Sequence, residues 1–312
     1  MSVIAIDLGG TKALGAVFTT DGDILVKKTC FLGASAGEDA GNIVFDLVRS
    51  LMSESPDGKV DAVGICVPGI VYSEDGSVWA PNIKGWDRYP LRSRIEAIVG
   101  KDVRVAVESD RTCYILGEAW KGAARGISDA VYMAVGTGIG MGILLDGRVV
   151  RGYSDIAGAA GWMILDASDA ERNGLCANFE SVASGSGLGI QIRKAVKEDK
   201  EYAGVLSAKP VEELSSYDVF AHYDTDPLAA AVLDRAVQMW GMASANVISL
   251  LNPKMVVFGG GIFGPASRFL DRIREEALKW GQPYAVRDAS FVVSELPGEA
   301  ALYGAARLVI NA

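Results

Sequence analysis

The feature that most constrains this 312-residue chain is a pattern used twice: apolar run, glycine turn, apolar run, Asp-Gly dipeptide. In the first copy residues 3–7 lead into Gly9-Gly10, residues 13–18 follow, and Asp21-Gly22 closes the unit. In the second, residues 130–135 lead into Gly136-Thr137-Gly138-Ile139-Gly140, a strand resumes over 142–145, and Asp146-Gly147 closes it. Short apolar runs bounded by turn dipeptides predict strands joined by tight hairpins. The residues differ between the copies while the order repeats, which predicts an internal structural duplication.

Around these copies strand and helix patterns alternate. Residues 24–29 read as a third strand, and Ile43, Leu47, Val48 and Leu51 recur at helical spacing within residues 39–52. The apolar run 60–67 ends at Pro68-Gly69, and a helix over 91–99, a strand over 103–107 and a helix from Thr112 to about Ala124 follow. Further on, apolar positions from Leu228 to Leu251 fit one long helix stopped by Asn252-Pro253. Residues 255–258 make a strand running into Gly259-Gly260-Gly261, and helices are expected over 265–280 and 300–310. This alternation predicts an α/β fold. Single cores stop growing near ~250–300 residues, so two lobes with a cleft between them are expected. The crossing is set near residues 120–126. It divides the chain into an N-terminal lobe, 1–122, closed by a C-terminal helix over 299–312, and a C-terminal lobe, 123–298.

Composition removes several function classes. A hydrophobic fraction of 50% with 22% charged residues supports a large core and excludes disorder. The net charge of −9 argues against nucleic acid or an anionic membrane as partner, because both require a basic face. Cys30, Cys66, Cys113 and Cys176 form no CxxC pair, so no disulfide framework or zinc ribbon is indicated. Without a charged leader or an apolar run near ~18 residues, a cytoplasmic protein is expected.

The residues able to carry chemistry lie at the turns. Gly9 and Gly10 let main-chain N–H groups approach phosphate oxygens, Thr11 adds a hydroxyl and Lys12 a positive charge. Asp7, at the strand end, suits a water-mediated hold on Mg²⁺. The alternative is a Gly-Gly hairpin without a ligand. Gly136, Thr137 and Gly138 offer the same two readings, and their pattern is neither GxxxxGK[ST] nor a GxGxxG opening a helix. Gly259, Gly260 and Gly261 expose backbone that suits the flat face of an adenine, or simply turn the chain. Asp110 follows a strand and precedes a helix, where open α/β sheets place ligands. The same residue reads equally well as the helix N-cap. Gly69, Asn82 and Trp86 offer a turn, an amide and a flat apolar ring to a sugar, or a turn and core packing. His222, the only histidine, sits on an expected helix and is given no role.

Together these segments resemble the ROK family of sugar kinases and sugar-responsive repressors, which share the actin-like ATPase (ribonuclease H-like) fold. The likeness spans nearly the whole chain. It rests on residues 7–12, Pro68-Gly69, Pro81-Asn82 with Trp86, residues 108–110 with Gly117-Glu118-Ala119, and residues 136–140. It continues through residues 158–163, Glu180 with Ala183-Ser184-Gly185, residues 259–261 and residues 298–306. The resemblance implies Asp110 as catalytic base, residues 9–12 and 136–138 as phosphate loops, and residues 259–261 as the adenosine contact. It also implies Gly69, Asn82 and Glu180 as sugar contacts. The departures are informative. The family's G-E-x-G-H reads Gly158-Ala159-Ala160-Gly161-Trp162, so its sugar-contacting Glu is Ala159 and its zinc-binding His is Trp162. Its C-x-C-G-x-x-G-C falls on residues 171–178, where the expected thiols are Glu171, Asn173 and Asn178 and Cys176 is out of register. No structural zinc is expected. Ser109 stands where the family usually has Asn.

The expected activity is therefore Mg-ATP-dependent phosphorylation of a primary hydroxyl, the 6-hydroxyl of a hexose or hexose-like polyol, with lobe closure excluding water. Ser109 and Trp162 alter the acceptor pocket, which favours an amino, deoxy or carbocyclic acceptor over glucose. Polyphosphate is an alternative donor. A non-catalytic sugar-sensing regulator is the alternative from another class, disfavoured because Asp7 leaves little chain before it for a DNA-binding extension. A homodimer is the expected assembly.

Overall fold

The computed structural model describes residues 2–167 and 178–310. Strands β1 (Ser2–Leu8), β2 (Lys12–Thr19) and β3 (Ile24–Phe31) lead to helix α1 (Gly37–Glu54). Strand β4 (Ala62–Val67) precedes a ribbon of β5 (Ile70–Val71) and β6 (Val78–Trp79), then come α2 (Leu91–Val99), β7 (Arg104–Ser109) and α3 (Asp110–Lys121). After these follow β8 (Ala130–Val135), β9 (Ile139–Leu145) and β10 (Arg148–Val149). Helices α4 (Asn178–Ala183), α5 (Gly185–Glu198), α6 (Ser216–His222) and α7 (Pro227–Leu251) are next. The chain then runs through β11 (Met255–Gly259), α8 (Leu270–Trp280), α9 (Pro283–Asp288), β12 (Ser290–Val293) and α10 (Ala300–Ile310).

An apolar run buried along almost its whole length belongs in the middle of a sheet. β1 is such a run and is the central strand of the order β3-β2-β1-β4-β7. β2 pairs with it antiparallel through the hairpin, while β4 and then β7 extend the sheet in parallel. The pleat divides β1 between two cores. Ile4, Ile6 and Leu8 pack with Val44, Phe45, Val48 and Leu51 of α1, and Val3 and Ala5 pack with Cys113 of α3 and Leu302, Ala305 and Val309 of α10. β3 alternates between half-buried and exposed, as an edge strand does.

The second sheet has the order β10-β9-β8-β11-β12, with β8, β11 and β12 parallel. β8 and β9 are joined by three residues, too few for any but an antiparallel hairpin. Counted within each sheet, both orders are three-two-one-four-five. The duplication expected from the two glycine turns is thus a duplication of topology.

The chain divides into two compact units, Met1–Ser128 with Gly142–Ala157 and Ser294–Ala312, and Asp129–Met141 with Gly158–Val293. This differs from the expected division at 122 and 298, chiefly because residues 142–157 return to the first unit. Gly142 explains the return: a Cβ there would stand 3.0 Å from the side chain of Ile115, so β9 lies hard against α3. Within the first unit the fully buried Glu118 ties the segment after α3 to residues 294–295. Its carboxylate accepts the Ala123 N–H at 2.7 Å, the Ser294 hydroxyl and the Glu295 N–H at 3.4 Å.

Several element boundaries moved from expectation. β9 begins at Ile139, which shortens the second glycine turn to residues 136–138. The helix expected over 265–280 opens as a tight three-residue-per-turn segment, Pro265–Phe269, and becomes α-helical at Leu270. β7 runs on to Ser109, so α3 starts at Asp110 without an intervening loop. Among the described residues no helix is long and apolar enough to cross a membrane.

Candidate active site

In the first unit the candidate residues gather at the carboxyl ends of β1, β4 and β7. Asp7 lies one residue from the end of β1, in register with Cys66 of β4, which is in register with Glu108 of β7. Burial raises the Asp7 carboxyl to about 6, the negative charge of Asp110 adds to the rise, and a hydrogen bond with Cys66 and the charge of Lys12 oppose it. Burial also raises Asp110, against the charge and the N–H of Arg111. Two carboxylates that repel one another at a strand-end edge favour a divalent cation or a proton between them. Asp7 therefore fits a water-mediated hold on a magnesium ion, with Asp110 left beside it as a second buried carboxylate.

The N-cap of α3 is Ser109, whose hydroxyl accepts the Thr112 N–H at 3.4 Å, while its own N–H donates to Glu108 Oε1 at 2.9 Å. The reading of Asp110 as the cap is corrected by one residue: Asp110 is the first helical residue, and its Oδ1 accepts the Arg111 N–H at 2.8 Å. Ser109 is only 5% exposed and its hydroxyl is committed to Thr112 in the first turn of the helix.

The first glycine turn is closed by the Gly9 N–H on the Lys12 carbonyl at 2.8 Å, and Thr11 and Lys12 project into solvent. A Cβ on Gly10 would stand 2.7 Å from Asn82 Cβ, so only glycine lets the Pro81-Asn82 loop pack on this turn. Asn82 itself is exposed. Gly69 takes a φ of 136°, and its carbonyl accepts Arg111 Nη2 at 3.2 Å. Trp86 offers no face to a sugar. It is 2% exposed, stacks on Tyr89 with ring centres 4.3 Å apart, and donates its Nε1–H to the Gly37 carbonyl at 3.0 Å.

The second unit gathers its own set at the carboxyl ends of β8 and β11. Gly136 donates to the Gly138 carbonyl at 2.9 Å, Gly185 donates to the Gly136 carbonyl at 2.8 Å, and Ser186 donates to the Thr137 carbonyl at 3.3 Å. The start of α5 thus holds this turn, with Ser184 as its N-cap, while Thr137 stays exposed. Glu180 accepts the Ile139 N–H at 2.6 Å, and a Cβ on Gly138 or Gly161 would stand 2.6 or 2.7 Å from its Oε2. Glu180, expected among sugar contacts, therefore supports the glycine turn. Gly260 takes a φ of 89° beside the end of β8, with Gly259 buried and Gly261 exposed. Trp162, 60% exposed, ends a short turn, Ala160–Trp162. Of the stretch resembling the zinc motif, residues 171–177 with Cys176 lie outside the described residues. Among those described, no group of three metal-ligating side chains is present.

Sequence reasoning missed Arg111 and Arg151. Arg111 adjoins Asp110 and bonds Gly69, a position visible in the run Glu108-Ser109-Asp110-Arg111; Arg151 pairs with Glu108 from 43 residues away and leaves no local signal.

The sequence profile of the ROK family matches residues 3–312. A glucokinase from Halalkalibacterium halodurans is 29% identical over 98% of this chain and 94% of its own. A xylose repressor from Caldicellulosiruptor bescii is also 29% identical, over 99% of this chain and 78% of its own. Among solved structures, a ROK family glucokinase from Streptomyces griseus in complex with glucose and AMPPNP is similar with a TM-score of 0.80. It is 28% identical and covered over 99% of both chains.

Proposed function

The chain belongs to the ROK family and is a carbohydrate kinase of the actin-like ATPase fold, and we propose that it moves the γ-phosphate of Mg-ATP onto a primary hydroxyl, the 6-hydroxyl of a hexose or hexose-like polyol. Asp110 accepts the hydroxyl proton as the oxygen attacks in line. In the first unit the main-chain N–H of Gly10, the hydroxyl of Thr11 and the charge of Lys12 serve phosphate, in a turn that Gly9 closes; in the second unit Gly138 and the hydroxyl of Thr137 serve it, in a turn that Gly136 closes. Gly259, Gly260 and Gly261 lie along the adenosine. Gly69 and Asn82, with Ser109 beside Asp110, are the acceptor contacts of the first unit, and Trp162 and Glu180 are the residues of the second unit that the family likeness assigns to the acceptor. Asp7 would hold Mg²⁺ through water, and the ion would supply neutralisation of charge on the phosphates.

The observation that carries this reading is the pairing of Asp7 and Asp110 at one sheet edge, with the capping duty taken by Ser109 so that Asp110 keeps an acceptor oxygen for the substrate. Positioning plus a general base of this kind supplies about 10²–10⁴-fold of rate. Ala159 and Trp162 remove two polar groups at the positions matching the family's acceptor pocket, which supports an amino, deoxy or carbocyclic acceptor over glucose. ADP release with Mg-ATP over hexoses, amino sugars and cyclitols tests both points. Turnover of one such acceptor above glucose by kcat/KM is expected, no turnover of any overturns the kinase assignment, and glucose as best acceptor overturns the pocket argument.

A non-catalytic sugar sensor is the second reading, resting on the repressor relative. It predicts sugar binding without ADP release in the same assay. A cytoplasmic homodimer completes the proposal, with molar mass in solution as its check.

A further inference from the structure

The segment from Arg151 to Ile156 is fastened at three points within the first unit, two of them to residues beside Asp110. Arg151 brings Nε to 2.6 Å and Nη2 to 2.5 Å from Glu108 Oε2. Arg111 brings Nη1 to 3.2 Å from the Ile156 carbonyl while its Nη2 holds the Gly69 carbonyl. Asp155, in the left-handed region with φ 59°, accepts the Ser73 N–H at 3.0 Å. A non-glycine residue keeps such a conformation only where its surroundings hold it.

We propose that Arg151 is a positioning residue for Asp110, acting through the buried carboxylate of Glu108; this rests on the reading of Asp110 as the general base. The path is short. Arg151 fixes Glu108 Oε2, Glu108 Oε1 accepts the Ser109 N–H at 2.9 Å, and Ser109 caps the helix whose first residue is Asp110. Glu108 is 8% exposed against 50% for Arg151, so the carboxylate depends on the guanidinium for compensation, and a paired fork of two N–H donors also fixes its rotamer. Without the arginine, a buried and uncompensated carboxylate two residues before the base turns elsewhere, and the first turn of α3 loses the contact that sets its angle. A displacement on the order of 1 Å at a reacting group costs about 100-fold in rate.

The test is a double-mutant cycle at saturating Mg-ATP, using the best acceptor of the native chain. Arg151→Gln should lower kcat about 10- to 100-fold with KM for ATP unchanged, and Arg151→Lys, which keeps the charge but not the fork, should recover part of that loss. In the Asp110→Asn background Arg151→Gln should cause no further loss, because the residue it positions is gone. The melting temperature of each variant confirms that folded protein is being read. Should Arg151→Gln fail to fold, Arg151→Lys is read in the same cycle. Native kcat in the single variant, or the same fold-loss in both backgrounds, overturns this inference alone. An Asp110→Asn variant with full rate removes the base reading, and this inference with it.

Discussion

Asp7 is held ionised only against opposition. Its ordinary value of 3.8 is raised to about 6 by burial first and by Asp110 second, so between those values the folded chain binds more protons than the unfolded one. Stability contributed by this group therefore falls as pH rises from about 4 to about 6, is unaffected below that window, and stays at its lowest above it. Asp7→Asn should leave stability near pH 4 unchanged and raise it at pH 7 by on the order of 2–3 kcal/mol, measured by urea unfolding of the ligand-free chain in chelator. A variant no more stable than the native chain at pH 7 contradicts the assignment of cause. Ser109→Ala should lower stability by about 1 kcal/mol through loss of the cap, whereas Asp110→Asn leaves the cap bond intact. Equal losses in the two would contradict the cap assignment. At this scale position was legible: Asp7 near the end of β1, Gly10 in the first turn and Asp110 directly after β7 stand where the sequence set them. It misled by one residue at the cap, because Ser and Asp cap equally well and nothing local chooses between them. Trp86 was ambiguous for a related reason: a ring beside a Pro-Asn turn suits a ligand or a core, and only the Tyr89 stack and the bond to Gly37 decide.

Helix α10 shows how an element finds its place through a side chain that it lacks. It packs on the face of the first sheet carrying Val3, Ala5, Ala16 and Ala62, and its own contribution is Ala301, Leu302, Ala305, Ala306 and Val309. At Gly304 a Cβ would stand 2.6 Å from the Cα of Cys113, a backbone atom that cannot give way without moving α3. Gly304→Ala should therefore cost about 1–3 kcal/mol despite its gain in helix propensity, read as a lower urea midpoint with an unchanged m-value. An unchanged or higher midpoint would show that α3 yields freely. The long periodic helices α1, α7 and α10 were readable from apolar spacing, and so were β1, β4, β8 and β11 as buried runs. α4, α5 and the turns of residues 205–213 were not foreseen: short segments with partial faces carry too few periods to rise above loop composition. β9 was clipped at its start because Ile139-Gly140 looks like turn until the strand beside it is known.

The whole molecule repeats one topology in two sheets, and each sheet ends its central hairpin in a glycine turn at the edge where its parallel strands finish. The duplication was visible because tight turns demand particular residues, while the return of residues 142–157 to the first unit was not, because it depends on how closely β9 meets α3. Membership of the ROK family and the carbohydrate kinase assignment rest on likeness along the whole chain. The acceptor rests on fewer residues, Ala159 and Trp162 above all, and an acceptor panel decides it. The base is more fundamental than the acceptor, since the proposed reaction needs it whichever alcohol is used. Its most direct test is the turnover of Asp110→Asn beside the native chain, with AMPPNP affinity measured on both. The account predicts a kcat lower by about 10²–10⁴-fold at unchanged nucleotide affinity; a variant that turns over as fast as the native chain would contradict it.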